Sequence, residues 1–531
     1  MRDADGYVDD GLAAKPLFGA IVGRKEELMG VRADKTSFMR QILVSIILVM
    51  SVTLAVDASA QISAQEYAER RAKLMEALGD GVYYFEGAAA PANDYTVWGQ
   101  ESYFRYLTGF DEPEARLIMV KDGEEVRQIL FVRERNPRRE IWEGHRFGVE
   151  GARQLTGMEC QPISLFETFV QSAAWRAPEA IVALAGPSED EIVAGLFERM
   201  ARGGRDSRGN ETVDRVVWIN PRPTLNRMRS IKSSAEIELL QTASTITREA
   251  HIAAMQAIEP GMNEFEIQAL IEYSFRRYGA GRPGFASIVG SGPNSTVLHY
   301  NSNDRFMGAD DMLVMDIGAE YDRYTTDITR SVPVSGKFTD EQREIYEIVL
   351  EAQLAAEEMA REIGVSQRDL GREANRVLAA GLARLGLIES AEATLPGTQQ
   401  PQHRLFALHG LGHGIGLNVH DPNSPTVEIG YAFTLEPGLY IREDALDRIG
   451  EGEEADALRE LLRPVIMKYK NIGVRIEDSY AYTDEGLVRL SAGIPRTVEE
   501  VEATMAEENF ANHHRLEELV KKYKRLQREQ R

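Results

Sequence analysis

Two aspartates and a cluster of histidines are the residues best suited to chemistry. Asp316 lies in Leu-Val-Met-Asp-Ile-Gly and Asp327 in Tyr-Thr-Thr-Asp-Ile-Thr-Arg, 11 residues later. Both stretches are apolar and β-branched and read as strands. Tyr321-Asp-Arg-Tyr324 between them suits a hairpin, and antiparallel neighbours bring the two carboxylates close together. Two bare carboxylates in an apolar strand pair repel, and one holds its proton. A divalent cation removes that conflict; on this pair alone, two unrelated strand aspartates are an equal reading. The chain has nine histidines, and three of them fall in His409-Gly-Leu-Gly-His413-Gly-Ile-Gly and Val419-His420-Asp421. The glycines let backbone and imidazole approach a ligand closely. Leu435-Glu436-Pro437-Gly438 places a glutamate at the end of an apolar strand, just before a turn. Val474-Arg-Ile-Glu-Asp478 alternates as a strand, with Glu477 on the polar side. Asp316, Asp327, His413, Glu436 and Glu477 together offer one imidazole and four carboxylates. Oxygen-dominated ligation suits Mn²⁺, with Zn²⁺ or Co²⁺ as alternatives. Four carboxylates supply enough oxygens to bridge two ions, a pair that polarises a carbonyl and activates water.

Several elements must position these groups. Ser233 and Glu236 are spaced as a capping box, and Ile237, Leu240, Ala243, Ile246 and Ala250 follow at helical spacing. Further helices are expected near residues 263–278, after Thr339, and from Ser366 to near Gly386. Strands are expected at 287–290, 312–318, 325–333, 432–436 and 474–477. In the first part of the chain, Arg116-Leu-Ile-Met-Val120 and Gln128-Ile-Leu-Phe-Val132 read as neighbouring strands around a Lys-Asp-Gly turn. Asn220-Pro-Arg-Pro223 reads as a hinge. The chain beyond Met505 reads as a charged, solvated helix.

Residues 229–503 resemble the pita-bread metallopeptidases, which include methionine aminopeptidase, prolidase and aminopeptidase P. The resemblance rests on D-x10-D, HG-x-GH-x-x-G-x-x-VHD, EPG and R-x-ED, in that order. It implies an α+β fold: a pita-bread (creatinase/aminopeptidase) catalytic domain preceded by a smaller α/β N-terminal domain. It implies Asp316 as a ligand of one metal, Asp327 and Glu477 as bridges, and His413 and Glu436 on the second metal. His299, in Val297-Leu-His-Tyr300, stands where the family has a substrate-contacting histidine. His409 and His420 match positions lining the active site, Glu436 is the candidate to take and pass on a proton, and Arg475 would orient a ligand carboxylate. Residues 103–115 and Glu140-Ile-Trp-Glu-Gly144 resemble the N-terminal domain of aminopeptidase P and prolidase. Residues 330–338 and 491–497 look more like aminopeptidase P. Phe285, Gly414 and the long segment 444–470 depart from the family pattern. The expected activity is removal of the first residue from peptides with proline in second position. A Xaa-Pro dipeptidase and a non-catalytic binding protein are the alternatives; the five retained ligands argue against the second. The family also implies a homo-oligomer, dimer or tetramer, in which the N-terminal domain helps close a neighbour's site.

The chain as a whole is compatible with this. Its 531 residues suit two domains, here placed at 61–222 and 225–505, with a tail at 506–531. With 61 basic and 84 acidic side chains the net charge is −23, which argues against a nucleic-acid partner. The single cysteine, Cys160, cannot form an internal disulfide. Residues 42–56 form an uncharged apolar run, shorter than the roughly 20 residues a membrane span needs. Lys35 and Arg40 precede it and Ala58-Ser59-Ala60 follows, the anatomy of a secretory signal peptide with Met39 as the initiator. The expectation is an exported protein without a membrane span in its mature form, or a cytoplasmic one if the segment does not function. N-terminal sequencing of the native protein should find Gln61 first; a cytoplasmic chain retaining residues 1–38 would refute export.

Overall fold

The two strands expected around Lys-Asp-Gly form as a pair. A computed structural model describes residues 62–91, 98–172, 180–203 and 216–507. In it β2 (Arg116–Asp122) and β3 (Glu125–Val132) run antiparallel, turning at Gly123 with φ +58°. With β1 (Gly81–Glu86), β4 (Glu159–Pro162), β5 (Ala180–Ala183) and β6 (Val217–Ile219) they build a mixed sheet ordered β4-β3-β2-β1-β5-β6. Side chains alternate between its faces. Tyr83, Phe85, Leu117 and Met119 join one apolar cluster with Leu74 and Phe104, while Val82, Tyr84 and Ile118 join another with Phe166 and Leu196. Both faces are buried, so the strands read as nearly unbroken apolar runs. The hinge expected at 220–223 is instead the start of a helix, Arg222–Ser230. Proline is tolerated in a first helical turn because its missing N–H has no intrahelical partner there.

The remainder is built from two helix pairs, each packed on strands. Helices Ser234–Ala257 and Glu264–Arg277 cover β8 (Ile288–Ser291), β9 (Met312–Ile317) and β12 (Ile328–Pro333), ordered β12-β9-β8. Helices Asp340–Ala360 and Gln367–Leu385 share a core with β13 (Ala432–Leu435), β14 (Gly438–Ile441), β15 (Ile472–Arg475) and β16 (Asp478–Thr483). The Ser233–Glu236 capping box forms as its spacing predicts. Among the described residues no helix is long and apolar enough to cross a membrane. The apolar run 42–56 and the charged tail beyond residue 507 lie outside the described residues.

The expected strand at 474–477 is not continuous. β15 pairs with β14, β16 pairs with β13, and Ile476-Glu477 is the break between them. Two more breaks are alike: Thr326-Asp327 separates β11 (Tyr324–Thr325) from β12, and Glu436-Pro437 separates β13 from β14. At each break the chain leaves one sheet for another.

One fully buried ion pair secures this seam. Arg330 and Asp478 are each 0% exposed and meet at 2.7 Å. Arg330 also donates to the carbonyls of Glu477 (2.7 Å) and Pro495 (2.7 Å). Burial alone would raise the Asp478 carboxyl, but Arg330, with Arg489 and Arg496 nearby, brings it down to about 2. Removing Arg330 takes away the nearest cation to Asp478, leaving Arg496 at 3.5 Å and Arg489 at 3.6 Å, and leaves several carbonyls unpaired. Arg330→Met should lower stability by about 3–5 kcal/mol. Urea unfolding in the presence of chelator checks this without a contribution from metal; an unchanged midpoint would show that the pair does not hold the seam.

Candidate metal centre

The chain breaks carry the carboxylates. Asp327, Glu436 and Glu477 each occupy one of the three breaks, while Asp316 lies within β9 opposite Thr329. Backbone hydrogen bonds fix each break from another element. Asp327 N donates to Ser479 Oγ (3.2 Å), Glu436 N to Leu411 O (2.7 Å) and Glu477 N to Thr329 O (3.0 Å). The strands packed on the first helix pair thus bring Asp316 and Asp327, and those packed on the second bring Glu436 and Glu477.

His413 is fixed by its glycines. A Cβ on Gly412 would stand 2.0 Å from Thr434 O, so only glycine lets this loop lie against β13. His413 N then donates to Thr434 Oγ1 (3.2 Å), and Thr434 N donates to His413 O (2.9 Å). His413 Nδ1 donates to Gly414 O at 3.0 Å. In the neutral ring this leaves Nε2 as a bare lone pair. It faces Asp327 Oδ2 at 3.4 Å and Glu436 Oε1 at 3.8 Å. One ligand atom each from Asp327, His413 and Glu477 lies within 4.8 Å of the other two.

These groups do not coexist comfortably by themselves. Burial, and then the charges of Glu477 and Asp316, push the Asp327 carboxyl well above the usual range. Burial and then Asp316 likewise raise Glu477. Burial and then Glu477 raise Glu436 to about 8. Moreover Asp316 Oδ1, Asp327 Oδ1 and Glu477 Oε1 are buried with no hydrogen-bond donor. Such oxygens need a partner. A divalent cation would satisfy them and reverse the upward shifts, so the residues present fit a bound metal.

The surrounding groups orient this cluster. Arg475 donates to Asp316 Oδ2 at 2.5 Å, to Tyr440 OH at 2.8 Å and to Thr329 Oγ1 at 3.2 Å. Thr329 Oγ1 in turn donates to Glu477 Oε2 at 2.7 Å. Tyr440 OH lies 2.8 Å from His409 Nε2, whose ring donates from Nδ1 to Gly410 O (2.8 Å), so the tyrosine is the donor there. His409 Nδ1 also stands 3.5 Å from Glu436 Oε2. Burial and the Arg475 charge bring His409 down to about 4. The His420 ring lies 4.2 Å from that of His413, tilted by 58°, and its pKa is lowered by burial and by His413 and His299. His420 and His299 are exposed, and His299 is near enough to act on the charge of both His409 and His420. The sequence singled out Arg475 but missed Tyr440 and Thr329, for which composition and spacing carry no signal. Gly414 also has a reason: a Cβ there would come within 2.8 Å of Pro422 O.

Known proteins share this arrangement of chain and motifs. Residues 238–484 match metallopeptidase family M24, and residues 67–199 match the aminopeptidase P N-terminal domain. The Xaa-Pro aminopeptidase of Haemophilus influenzae is 36% identical over 463 residues, 84% of this chain and 98% of that protein. The Xaa-Pro aminopeptidase of Escherichia coli is 36% identical over 460 residues, again 84% and 98%. Among solved structures, a variant E. coli aminopeptidase P in complex with substrate matches with a TM-score of 0.73 at 35% identity. That match covers 86% of this chain and 100% of the other. With a six-stranded N-terminal sheet, two helix pairs on their strands and the motifs in family order, the chain belongs to metallopeptidase family M24, among the Xaa-Pro aminopeptidases.

Proposed function

We propose that this chain is a metal-dependent aminopeptidase that removes the first residue from peptides with proline in second position. One observation carries the reading: three donorless, buried carboxylate oxygens beside the bare Nε2 of His413, in a chain of this family. The donor set suits two divalent ions. Asp316 would serve one, His413 and Glu436 the other, and Asp327 and Glu477 would bridge both. Mn²⁺ fits an oxygen-rich site best, with Zn²⁺ or Co²⁺ as substitutes. When bound, such ions acidify a water and polarise the substrate carbonyl.

The chain's own groups supply the rest. A peptide bond before proline has no N–H, so recognition cannot depend on one. Glu436 turns one oxygen to His413 and the other to His409, at 3.8 and 3.5 Å. That second oxygen is free to take a proton from the attacking water and deliver it to the proline nitrogen. His409 is held for this by Tyr440. The exposed His299 and His420 offer hydrogen bonds to the substrate carbonyl as charge develops on it. The free α-amino group is drawn to the carboxylate cluster, which makes the reaction an exopeptidase reaction. The domain limits 61–222 and 225–505, export through the 42–56 segment and a homo-oligomeric state belong to the same reading.

The metal assignment is checked by elemental analysis. The loaded protein should hold about two divalent ions per chain. Asp327→Ala and Glu477→Ala should each lose both, and Glu436→Ala chiefly one. Full activity after exhaustive chelation, or unchanged metal in Asp327→Ala, would contradict it. The substrate assignment is checked with a short peptide series. Ala-Pro-Ala should be cleaved, Ala-Pro and Ala-Ala-Ala far more slowly, and acetyl-Ala-Pro-Ala not at all. Equal rates on Ala-Pro-Ala and Ala-Ala-Ala would remove the proline specificity, and faster cleavage of Ala-Pro would make the protein a dipeptidase.

A further inference from the structure

His299 is exposed, and among the described residues its ring makes no hydrogen bond. Its position therefore depends on the backbone to either side. On one side Leu298 O accepts from Arg475 Nη2 at 3.5 Å. On the other, Tyr300 OH lies 2.9 Å from Glu264 Oε2 and 3.1 Å from Asp304 Oδ1.

Glu264 is the unusual group. It is fully buried at the first position of the helix Glu264–Arg277, where the helix dipole favours negative charge. Its Oε1 accepts from Ser291 N (2.6 Å), Ser291 Oγ (2.7 Å) and Asn294 Nδ2 (3.3 Å). Its Oε2 accepts from Arg305 N (2.9 Å) as well as facing Tyr300. One carboxylate thus gathers donors from both ends and the middle of residues 291–305. Apolar packing does not replace it near the histidine, because Val297 is 41% exposed.

We propose that Glu264, acting through Tyr300, is a positioning residue that sets His299 for the substrate. The proposal rests on the reading of His299 as a substrate-contacting group. Neither Glu264 nor Tyr300 touches the reacting atoms. Their effect is to hold the His299 backbone between two anchors, the Glu264 carboxylate and the Arg475 guanidinium that also binds Asp316. A misplaced hydrogen-bond donor lowers turnover far more than it lowers binding.

A double-mutant cycle on the full-length, metal-loaded protein tests this. Tyr300→Phe keeps the ring and leaves Ser291, Asn294 and Arg305 on Glu264. It should lower kcat about tenfold, with KM changed less than about twofold and metal content and unfolding midpoint unchanged. In a His299→Ala background the same substitution should have no further effect. Glu264→Gln, similar in size but able to accept fewer of these donors, should show the same masking by His299→Ala. If His299→Ala lowers turnover and Tyr300→Phe still adds its full loss, only the positioning role falls. If Tyr300→Phe leaves kcat unchanged in the wild-type background, it falls likewise. If His299→Ala leaves turnover unchanged, the substrate role of His299 fails and takes the proposal with it.

Discussion

Four carboxylates brought into one small buried space repel one another, and much of the surrounding structure answers that repulsion. Two bare like charges about 4 Å apart in a partly solvated site oppose each other by roughly 4 kcal/mol. Among the described residues only one Arg or Lys is in direct contact with them. Arg475 meets Asp316 itself and reaches Glu477 through Thr329. One guanidinium cannot balance four carboxylates: burial first, and then their mutual charge, drives Asp327, Glu436 and Glu477 upward, and three oxygens lack donors. The cluster is a frame for positive charge from outside the chain.

Building that frame explains the irregular strands. A residue inside a regular strand points its side chain at a fixed face, with its backbone committed to neighbours. Residues at Asp327, Glu436 and Glu477 sit where the chain changes sheets, so the two helix pairs can converge their carboxylates on one point. The N-terminal part secures the same arrangement from a distance. The turn between β10 (Ala319–Tyr321) and β11 is Asp322-Arg323, both at positive φ, 45° and 72°. Hairpin turns of this form favour Asn or Asp followed by Gly, so Asp322 fits and Arg323, standing where Gly is preferred, carries strain. Ion pairs hold them: Arg105 to Asp322 at 2.9 Å, and Arg323 to Asp111 at 2.8 Å. This clasped hairpin joins the strand of Asp316 to the break of Asp327.

Local signals in the sequence were accordingly reliable and partner-dependent ones were not. The Ser233–Glu236 box, the Lys-Asp-Gly turn and the hairpin between the aspartates are decided within a few residues, and all form. The histidine cluster was legible because glycine-flanked imidazoles are dense there. The strand expected at 474–477 is cut short because Val474 and Arg475 pair with β14 while Ile476-Glu477 carry the chain across to β13, a switch invisible in the alternation of Arg475, Ile476 and Glu477. The hinge at 220–223 failed because two prolines fit a helix start as well as a linker. Tyr440, Thr329 and Glu264 matter only through partners 27 to 148 residues away in sequence, so no window of sequence reports them.

The imidazoles around the cluster follow from the same electrostatics. A site that concentrates cations does not tolerate protonated histidines at its rim. Burial and Arg475 bring His409 down to about 4, and burial with the neighbouring His413 and His299 lowers His420. At neutral pH His409 is therefore uncharged. Tyr440 donates to its Nε2 and fixes its Nδ1 as the protonated nitrogen, directed at Gly410 O and towards Glu436. The proton beside Glu436 is thus assigned through a chain of donors that starts at Arg475, the same residue that steadies Asp316. The steadying of Asp316 and the placement of the His409 proton are two consequences of one buried guanidinium.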